Sequence, residues 1–192
     1  MGFNGYLVLG RTQEAVTELF DFPPSAEMNV YEPADYPDGW RVMGLRPYPN
    51  ENLIGDDQVR HVADITGAPA LVCHVFLSDY AIVRGCAPGG EVWSAELNVR
   101  LAVEAGVLEE FGVTQDDDGL TAAEWQECVD AVTARWEADR ARMLDHALSW
   151  AAAAGHEVDP AGVMEVVSGT DTYAEVAVHN LFRSLGVRIP PA

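Results

Sequence analysis

The fold of this chain is decided by residues 71–97, which read LVCHVFLSDYAIVRGCAPGGEVWSAEL. Apolar, β-branched and aromatic residues dominate three runs within this stretch, Leu71–Leu77, Tyr80–Ala87 and Val92–Leu97. Short turn-forming segments separate the runs, as they do between consecutive antiparallel strands. We therefore expect a three-stranded antiparallel meander in the middle of the chain.

The register of this meander determines which residues enter the core. If Leu77 faces Ile82 and Ala87 faces Val92, one face of the meander is apolar apart from Arg84. That face contains Leu71, Cys73, Val75, Leu77, Ile82, Cys86, Trp93, Ala95 and Leu97. The other face is mixed and contains Val72, His74, Phe76, Val83, Gly85, Ser94 and Glu96. We expect the apolar face to pack against the rest of the protein.

The residues before the meander predict two more strands, two helices and one long loop. In chain order these are a strand from Tyr6 to Gly10, a helix from Gln13 to Phe20 capped by Thr12, a loop from Asp21 to Asp38, a strand from Trp40 to Leu45, and a helix from Asp56 to Gly67. The loop contains four prolines, and Pro47 with Pro49 is expected to end the second strand.

The residues after position 97 are expected to be helical. A short helix covers 98–106, and Thr121 with Glu124 forms a capping box that opens a helix running to Ala154. Two further helices begin at Asp159-Pro160 and at the second capping box, Thr172–Glu175. Because strands precede helices along the chain, we expect one α+β domain over 1–192, strand-rich in 1–97 and helical in 98–192.

The long helix carries an apolar stripe that changes along its length. Trp125, Val129, Val132 and Trp136 are spaced four, three and four residues apart, which places them on one side of the helix. Asp139 interrupts the pattern. We therefore expect the first half of the helix in the core, and the second half, around Trp150, less deeply buried and available to a contact between two copies of the chain.

The charge of the chain limits its partners. It contains no lysine, and eleven arginines face thirty-one aspartates and glutamates, for a net charge of −20. Nucleic acids and anionic membrane surfaces require a basic binding surface, so neither is expected as a ligand. A basic protein is the partner that this charge favours, through electrostatic steering. Without a run of 18 apolar residues or a secretion signal, we expect a soluble cytoplasmic protein.

The sequence predicts neither a metal nor a cofactor. The five histidines are scattered without ligand-like spacing, and the run Asp116–Asp118 lacks the alternating carboxylates of a calcium loop. No glycine-rich phosphate loop is present. Cys73 and Cys86 could face each other as a redox pair, but we favour two small buried side chains because cytosolic disulfides are rare.

The mixed face of the meander holds the candidate catalytic residues. In the register above, His74 lies across Gly85 from Ser94, with Glu96 diagonally nearby, so the three could act as base, nucleophile and acid. Ser94 is not presented by a strained Gly-x-Ser-x-Gly turn. We therefore interpret the three residues as structural, with Gly85 making room for the imidazole.

In general character the chain resembles uncharacterised acidic cytoplasmic proteins of high-GC actinobacteria. The features that carry this resemblance are arginine as the only strongly basic residue, a short meander with Asp79 at its first turn, and an alanine-rich helical second half. It is also broadly similar to small toxin-immunity proteins, although no motif matches residue by residue. This similarity implies a binding or inhibitor protein with a basic partner. The alternatives are a small hydrolase using His74, Ser94 and Glu96, and a homodimeric structural protein.

Overall fold

The computed structural model describes residues 3–12, 19–20, 27–48, 54–104 and 121–189. They form an α+β fold, as expected, in which a six-stranded sheet is followed along the chain by long helices. The expected acidic turn at 116–119 and most of the expected helix at 13–20 lie outside the described residues. Leu19 and Phe20, at the end of that expected helix, are buried.

Every pair of neighbouring strands in the sheet is antiparallel. The strands are β1 (Gly5–Gly10), β2 (Glu27–Asp35), β3 (Arg41–Tyr48), β4 (Ala70–Phe76), β5 (Tyr80–Cys86) and β6 (Trp93–Leu97). Their order across the sheet is β2-β3-β1-β4-β5-β6. The predicted meander is therefore confirmed as β4, β5 and β6, and it forms one side of the sheet.

Among the described residues, four helices of nine or more residues pack around this sheet. They are α1 (Asp56–Thr66), α2 (Ala122–Ala153), α3 (Pro160–Ser168) and α4 (Ala174–Ser184), and residues 99–104 are also helical. The capping box of Thr121 and Glu124 and the Asp159 cap form as predicted. α1 and α4 differ from the prediction, because Gly55 rather than Asp56 caps α1, and Tyr173 occupies the cap position of α4 without a side-chain hydrogen bond.

Two predictions about the first half of the sheet were wrong. Residues 27–35 form the edge strand β2 rather than a loop, and the register shifts between Tyr31 and Ala34, at the position of Pro33. Edge strands and bulges are the places where a sheet tolerates proline. β3 also continues through Pro47, which is possible because its pairing with β1 has already ended at Leu45 and the missing N–H is not needed there.

The two faces of the sheet are covered unequally. The face under α2, α3 and α4, here called the helix face, carries Leu9, Val42, Leu71, Cys73, Val75, Ala81, Val83, Trp93, Ala95 and Leu97. The other face, here called the α1 face, carries Tyr6, Val8, Met43, Leu45, Ala70, Val72 and Cys86, and packs against α1. Towards β5 and β6 the α1 face becomes more open, with Ile82, Arg84 and Glu96 half-buried and Ser94 exposed.

The long helix α2 is continuous, as predicted, and Val132 and Trp136 of its first half are buried as expected, but its second half is buried more deeply than expected. Trp125 and Val129 in its first half are half-buried, whereas Trp150 is 1% exposed. Trp150 donates its indole N–H to the Ala70 carbonyl at 3.0 Å, across the helix face. Trp150 therefore anchors the second half of α2 on the sheet and is not available to a dimer contact.

Candidate functional site

The register of β5 differs from the prediction and rearranges the candidate catalytic residues. His74 pairs with Ile82, and Ile82 pairs with Glu96, so His74 and Glu96 share one cross-strand row. Ser94 lies in the next row, opposite Arg84. Gly85 belongs to the other face, where a Cβ atom would lie 2.4 Å from the Trp93 indole. Gly85 therefore makes room for Trp93, not for the imidazole.

The His74 ring is part of a stack of aromatic side chains. Its centroid lies 4.3 Å from that of Tyr6 and 3.9 Å from that of Phe76, and Phe76 stacks on Tyr80 at 4.5 Å. Burial, with a smaller contribution from the positive charge of Arg84, lowers the pKa of His74 to about 4. A base with so low a pKa is mostly unprotonated but weak at neutral pH. This environment suits a packed ring better than a general base.

The two strand cysteines point to opposite faces of the sheet. Cys73 pairs with Val83 on the helix face, and Cys86 pairs with Ala70 on the α1 face. Both are buried, and burial raises the pKa of each thiol. The favoured interpretation of two small buried side chains is therefore confirmed. A cross-strand redox pair is excluded, because adjacent strands can bridge only side chains that share a face.

Ser94 and Glu96 line a cleft between the edge strand β6 and helix α2. The cleft has a volume of about 380 Å³, and Trp93 and Trp136 form much of its apolar wall. Arg135, Arg142 and Asp139 contribute charges of both signs, and Asp139 pairs with Arg142 at 2.7 Å. The lining of this cleft includes His146 together with Ser94 and Glu96 but does not include His74, so the predicted set of His74, Ser94 and Glu96 is not brought together there.

A different feature stands out at the turn between β4 and β5. Leu77 and Ser78 both adopt left-handed backbone conformations, with φ of 51° and 66°. Asp79 N–H donates to the Phe76 carbonyl at 2.8 Å, which closes a tight turn around these two residues. Asn-Gly usually fills such positions, because other side chains cost about 1 kcal/mol or more each in this conformation. Strain of this kind is often retained where it serves a site.

Ser78 is held in this strained conformation by two distant segments. Its N–H donates to the Phe3 carbonyl at 2.8 Å, and its hydroxyl accepts from the Phe3 N–H at 2.7 Å. Its carbonyl accepts from the N–H of Ala174, and its hydroxyl donates to Glu175, both at the start of α4. Ser78 is 7% exposed, so these hydrogen bonds satisfy a buried polar group. They also connect the turn to Phe3, just before β1, and to the start of α4.

A groove of about 730 Å³ opens beside this turn, and we call it the corner groove. Its lining includes Phe3, Arg46, Leu77, Ser78, Asp79, Tyr173 and Glu175. Leu77 is 62% exposed and Tyr173 is 58% exposed, so both present apolar surface to solvent in the lining of one groove. Phe3 extends the apolar surface towards Tyr31 on β2, 5.9 Å away between ring centroids and 44% exposed.

The sequence predicted neither the strained turn nor the groove. The predicted first run extends through Leu77, whereas the observed turn already begins at Phe76 and contains Leu77 and Ser78. A Leu-Ser pair gives no signal for two left-handed residues. The exposure of Tyr173 was equally hidden, because a capping box at Thr172–Glu175 would have used Glu175 for the helix cap. Glu175 instead reaches Ser78, a residue 97 positions away.

The arginines of the described residues are largely paired with neighbouring carboxylates. Surface ion pairs join Arg41 to Asp35, Arg60 to Asp57, Arg84 to Asp56, Arg140 to Glu137, Arg142 to Asp139 and Arg188 to Asp38. Because acidic residues outnumber arginines almost three to one, exposed carboxylates such as Glu127, Asp145 and Glu165 remain in excess. The surface formed by the described residues therefore carries an excess of negative charge.

Neither a metal site nor a membrane-spanning helix is found in the part of the chain that the structure describes. There, no three or more His, Cys, Asp or Glu side chains are grouped so as to hold a metal ion. Likewise, no described helix is both long and apolar enough to cross a bilayer. Comparison with protein-family models, curated proteins and solved structures finds no match to this chain. The candidate site therefore rests on its own geometry.

Proposed function

We propose that this protein is a binding module of the inhibitor or immunity type, and that a basic protein docks on the corner groove. The observation that carries the proposal is the strained turn that holds Leu77 in solvent beside the exposed Tyr173. Solvent-exposed apolar side chains grouped around a groove with a polar rim mark interaction sites. Tyrosine is also among the residues that contribute most to binding energy at interfaces.

The acidic side chains of the corner groove favour a basic occupant. Asp79 is exposed, and Glu175 uses only one of its carboxylate oxygens to accept the Ser78 hydroxyl. The other oxygen of Glu175 is buried without a hydrogen-bond partner. An arginine or lysine side chain of the partner could pair with the exposed Asp79 and lie against the ring of Tyr173 or Phe3. Arg46 at the rim limits the excess of negative charge but does not remove it.

The overall charge of the protein supports the same partner at longer range. A surface with a net charge of −20 accelerates the encounter with a basic protein and disfavours acidic competitors. Exposed charges are screened over about 10 Å at 0.1 M salt, so this contribution depends strongly on ionic strength. The apolar contacts of Leu77 and Tyr173 would then retain the partner after the encounter.

The test uses Leu77→Asn, because asparagine tolerates the left-handed conformation that strains leucine. We expect this variant to gain about 0.5–1 kcal/mol in the free energy of unfolding, since it relieves strain. We also expect it to lose most of its capture of a protein of high isoelectric point from a lysate of the source cells. A gain in stability combined with a loss of binding would identify Leu77 as a binding residue that costs stability.

The matched control is Ile65→Ser on α1, which removes another exposed apolar side chain, 45% exposed, from a different surface. This variant should capture the same protein as the wild type, and Tyr173→Ser should not. Capture by the wild type should fall several-fold between about 50 and 300 mM salt. Equal losses in the Ile65 and Tyr173 variants, or capture that is insensitive to salt, would contradict the proposal.

A further inference from the structure

A second cluster of polar side chains lies at the opposite end of the sheet from the corner groove. Arg11 directly follows β1, Trp40 precedes β3, His156 follows α2, and Arg188 lies near the C-terminus. Two of the eleven arginines of this acidic chain thus come together with a histidine. The proposed docking function uses none of these residues.

The contacts of the cluster are organised around the indole of Trp40. The Arg11 guanidinium lies 4.5 Å from the centre of this ring, and one of its terminal nitrogens donates to the Ala154 carbonyl at 2.9 Å. The His156 ring lies 6.0 Å from the Trp40 ring. Trp40 is itself 1% exposed and packs on Trp150, so the cluster is built on the buried core.

Three polar atoms of this cluster are buried without a hydrogen-bond partner. They are Nε of Arg11, Nε1 of Trp40 and Nε2 of His156. The first two are always donors, and the third is a donor whenever it carries the ring proton. Each buried donor that lacks an acceptor costs about 1–3 kcal/mol, and native proteins leave few such groups. Three such donors in one cluster indicate that a molecule or ion that accepts hydrogen bonds binds there.

The charges around His156 determine which acceptor fits best. Arg188 pairs with the exposed Asp38 at 2.9 Å. The described contacts of Arg11 are with the Ala154 carbonyl and the Trp40 ring and include no carboxylate, so no opposite charge balances its guanidinium there. Burial, followed by the charge of Arg11, lowers the pKa of His156, and Arg188 acts in the same direction while Asp38 opposes it. The potential at the imidazole is therefore positive, which favours a negatively charged occupant over water.

We propose that Arg11, Trp40 and His156 form a binding site for a small oxyanion, the class that includes carboxylates, sulfate and phosphate. Such an ion has enough lone pairs to accept from all three donors at once. Arg11 would supply the main charge, Trp40 the fixed N–H, and His156 a donor whose protonation the anion would favour. Arg188 would contribute at longer range from its ion pair with Asp38.

The test is an NMR titration of the histidine side chains with sodium sulfate at constant ionic strength. We expect the signals of His156 to shift saturably, and the pKa of His156 to rise by about half a unit or more when sulfate is bound. His61, exposed on α1, should show no saturable change. Parallel titrations with acetate and inorganic phosphate distinguish a carboxylate from a phosphate as the preferred ligand.

Two arginine variants test whether the guanidinium groups bind the anion. Arg11→Gln should abolish the saturable shift, and Arg188→Gln should weaken the affinity for sulfate several-fold while folding normally, because its side chain is 73% exposed. Arg60→Gln on α1 is the matched control and should bind as the wild type does. If none of the three anions shifts His156 saturably, or if Arg11→Gln still binds sulfate like the wild type, water satisfies these donors and the proposal is wrong.

Discussion

The two faces of the sheet differ in what covers them: the side chains of the helix face are buried, whereas part of the α1 face is accessible to solvent. On the helix face, three helices bury side chains from Leu9 to Leu97 almost completely. On the α1 face, the described residues that cover the sheet are those of α1 with Leu19, Phe20 and Ile54. The stack containing His74 and Phe76 remains half-buried beside β5 and β6. We therefore expect substitutions on the helix face to affect folding, and those on the open part of the α1 face to have small effects or effects that depend on pH.

The largest expected effect comes from Trp150, which joins α2 to the helix face. Trp150→Ala should lower the free energy of unfolding by about 3–5 kcal/mol, because it leaves a large cavity against Trp40. It also leaves the Ala70 carbonyl without its donor. Denaturant unfolding measures the change, and Trp125→Ala, in the half-buried first half of α2, is the matched control and should cost less than about 1 kcal/mol.

Equal losses for the two tryptophans would contradict the contrast between the halves of α2. The stripe from Trp125 to Trp136 is the more regular one in the sequence, and it predicted the opposite result. Periodicity shows which side of a helix is apolar, but not which part of that side lies over the sheet. The placement of α2 depends on distant strands, and Ala70, 80 residues before Trp150, could not be identified as its acceptor from the helix itself.

An intermediate effect, dependent on pH, is expected from His74 on the α1 face. Its pKa is about 4 in the folded protein, below the ordinary value of 6.5, so the unfolded chain takes up the proton first as the pH falls. Stability should therefore be lost between pH 6.5 and 4. Because the ring is partly exposed, solvent screening reduces this loss to about 1–2 kcal/mol.

His74→Phe keeps an aromatic ring between Tyr6 and Phe76 but cannot be protonated. Its free energy of unfolding should fall less than that of the wild type from pH 7 to 5, as measured by urea unfolding at each pH. His61→Phe, at an exposed position on α1, is the control and should follow the wild type. Parallel pH profiles for wild type and His74→Phe would show that His74 does not titrate differently in the folded protein.

The sequence was sufficient for the fold class and the meander, because alternating runs and short turns are local signals. It was insufficient for the register of β5, since the turn depends on left-handed Leu77 and Ser78, which no residue preference indicates. The conformation of Ser78 is imposed from a distance by Phe3, Ala174 and Glu175. The same long-range contacts build the corner groove, so it could not be predicted either.

The smallest expected effect comes from Ile82, which with its neighbour Val83 on β5 tests the register directly. Ile82 is half-buried on the α1 face, whereas Val83 is 0% exposed on the helix face. Ile82→Thr should cost less than about 1 kcal/mol, because threonine keeps the strand preference and its hydroxyl can reach water. Val83→Thr, the matched variant of nearly the same shape, buries a hydroxyl and should cost about 1–3 kcal/mol. Thermal and urea unfolding of both variants give the comparison. If Ile82→Thr proves the more damaging, Ile82 belongs to the core and the register inferred from the sequence, with Leu77 facing Ile82, is the correct one.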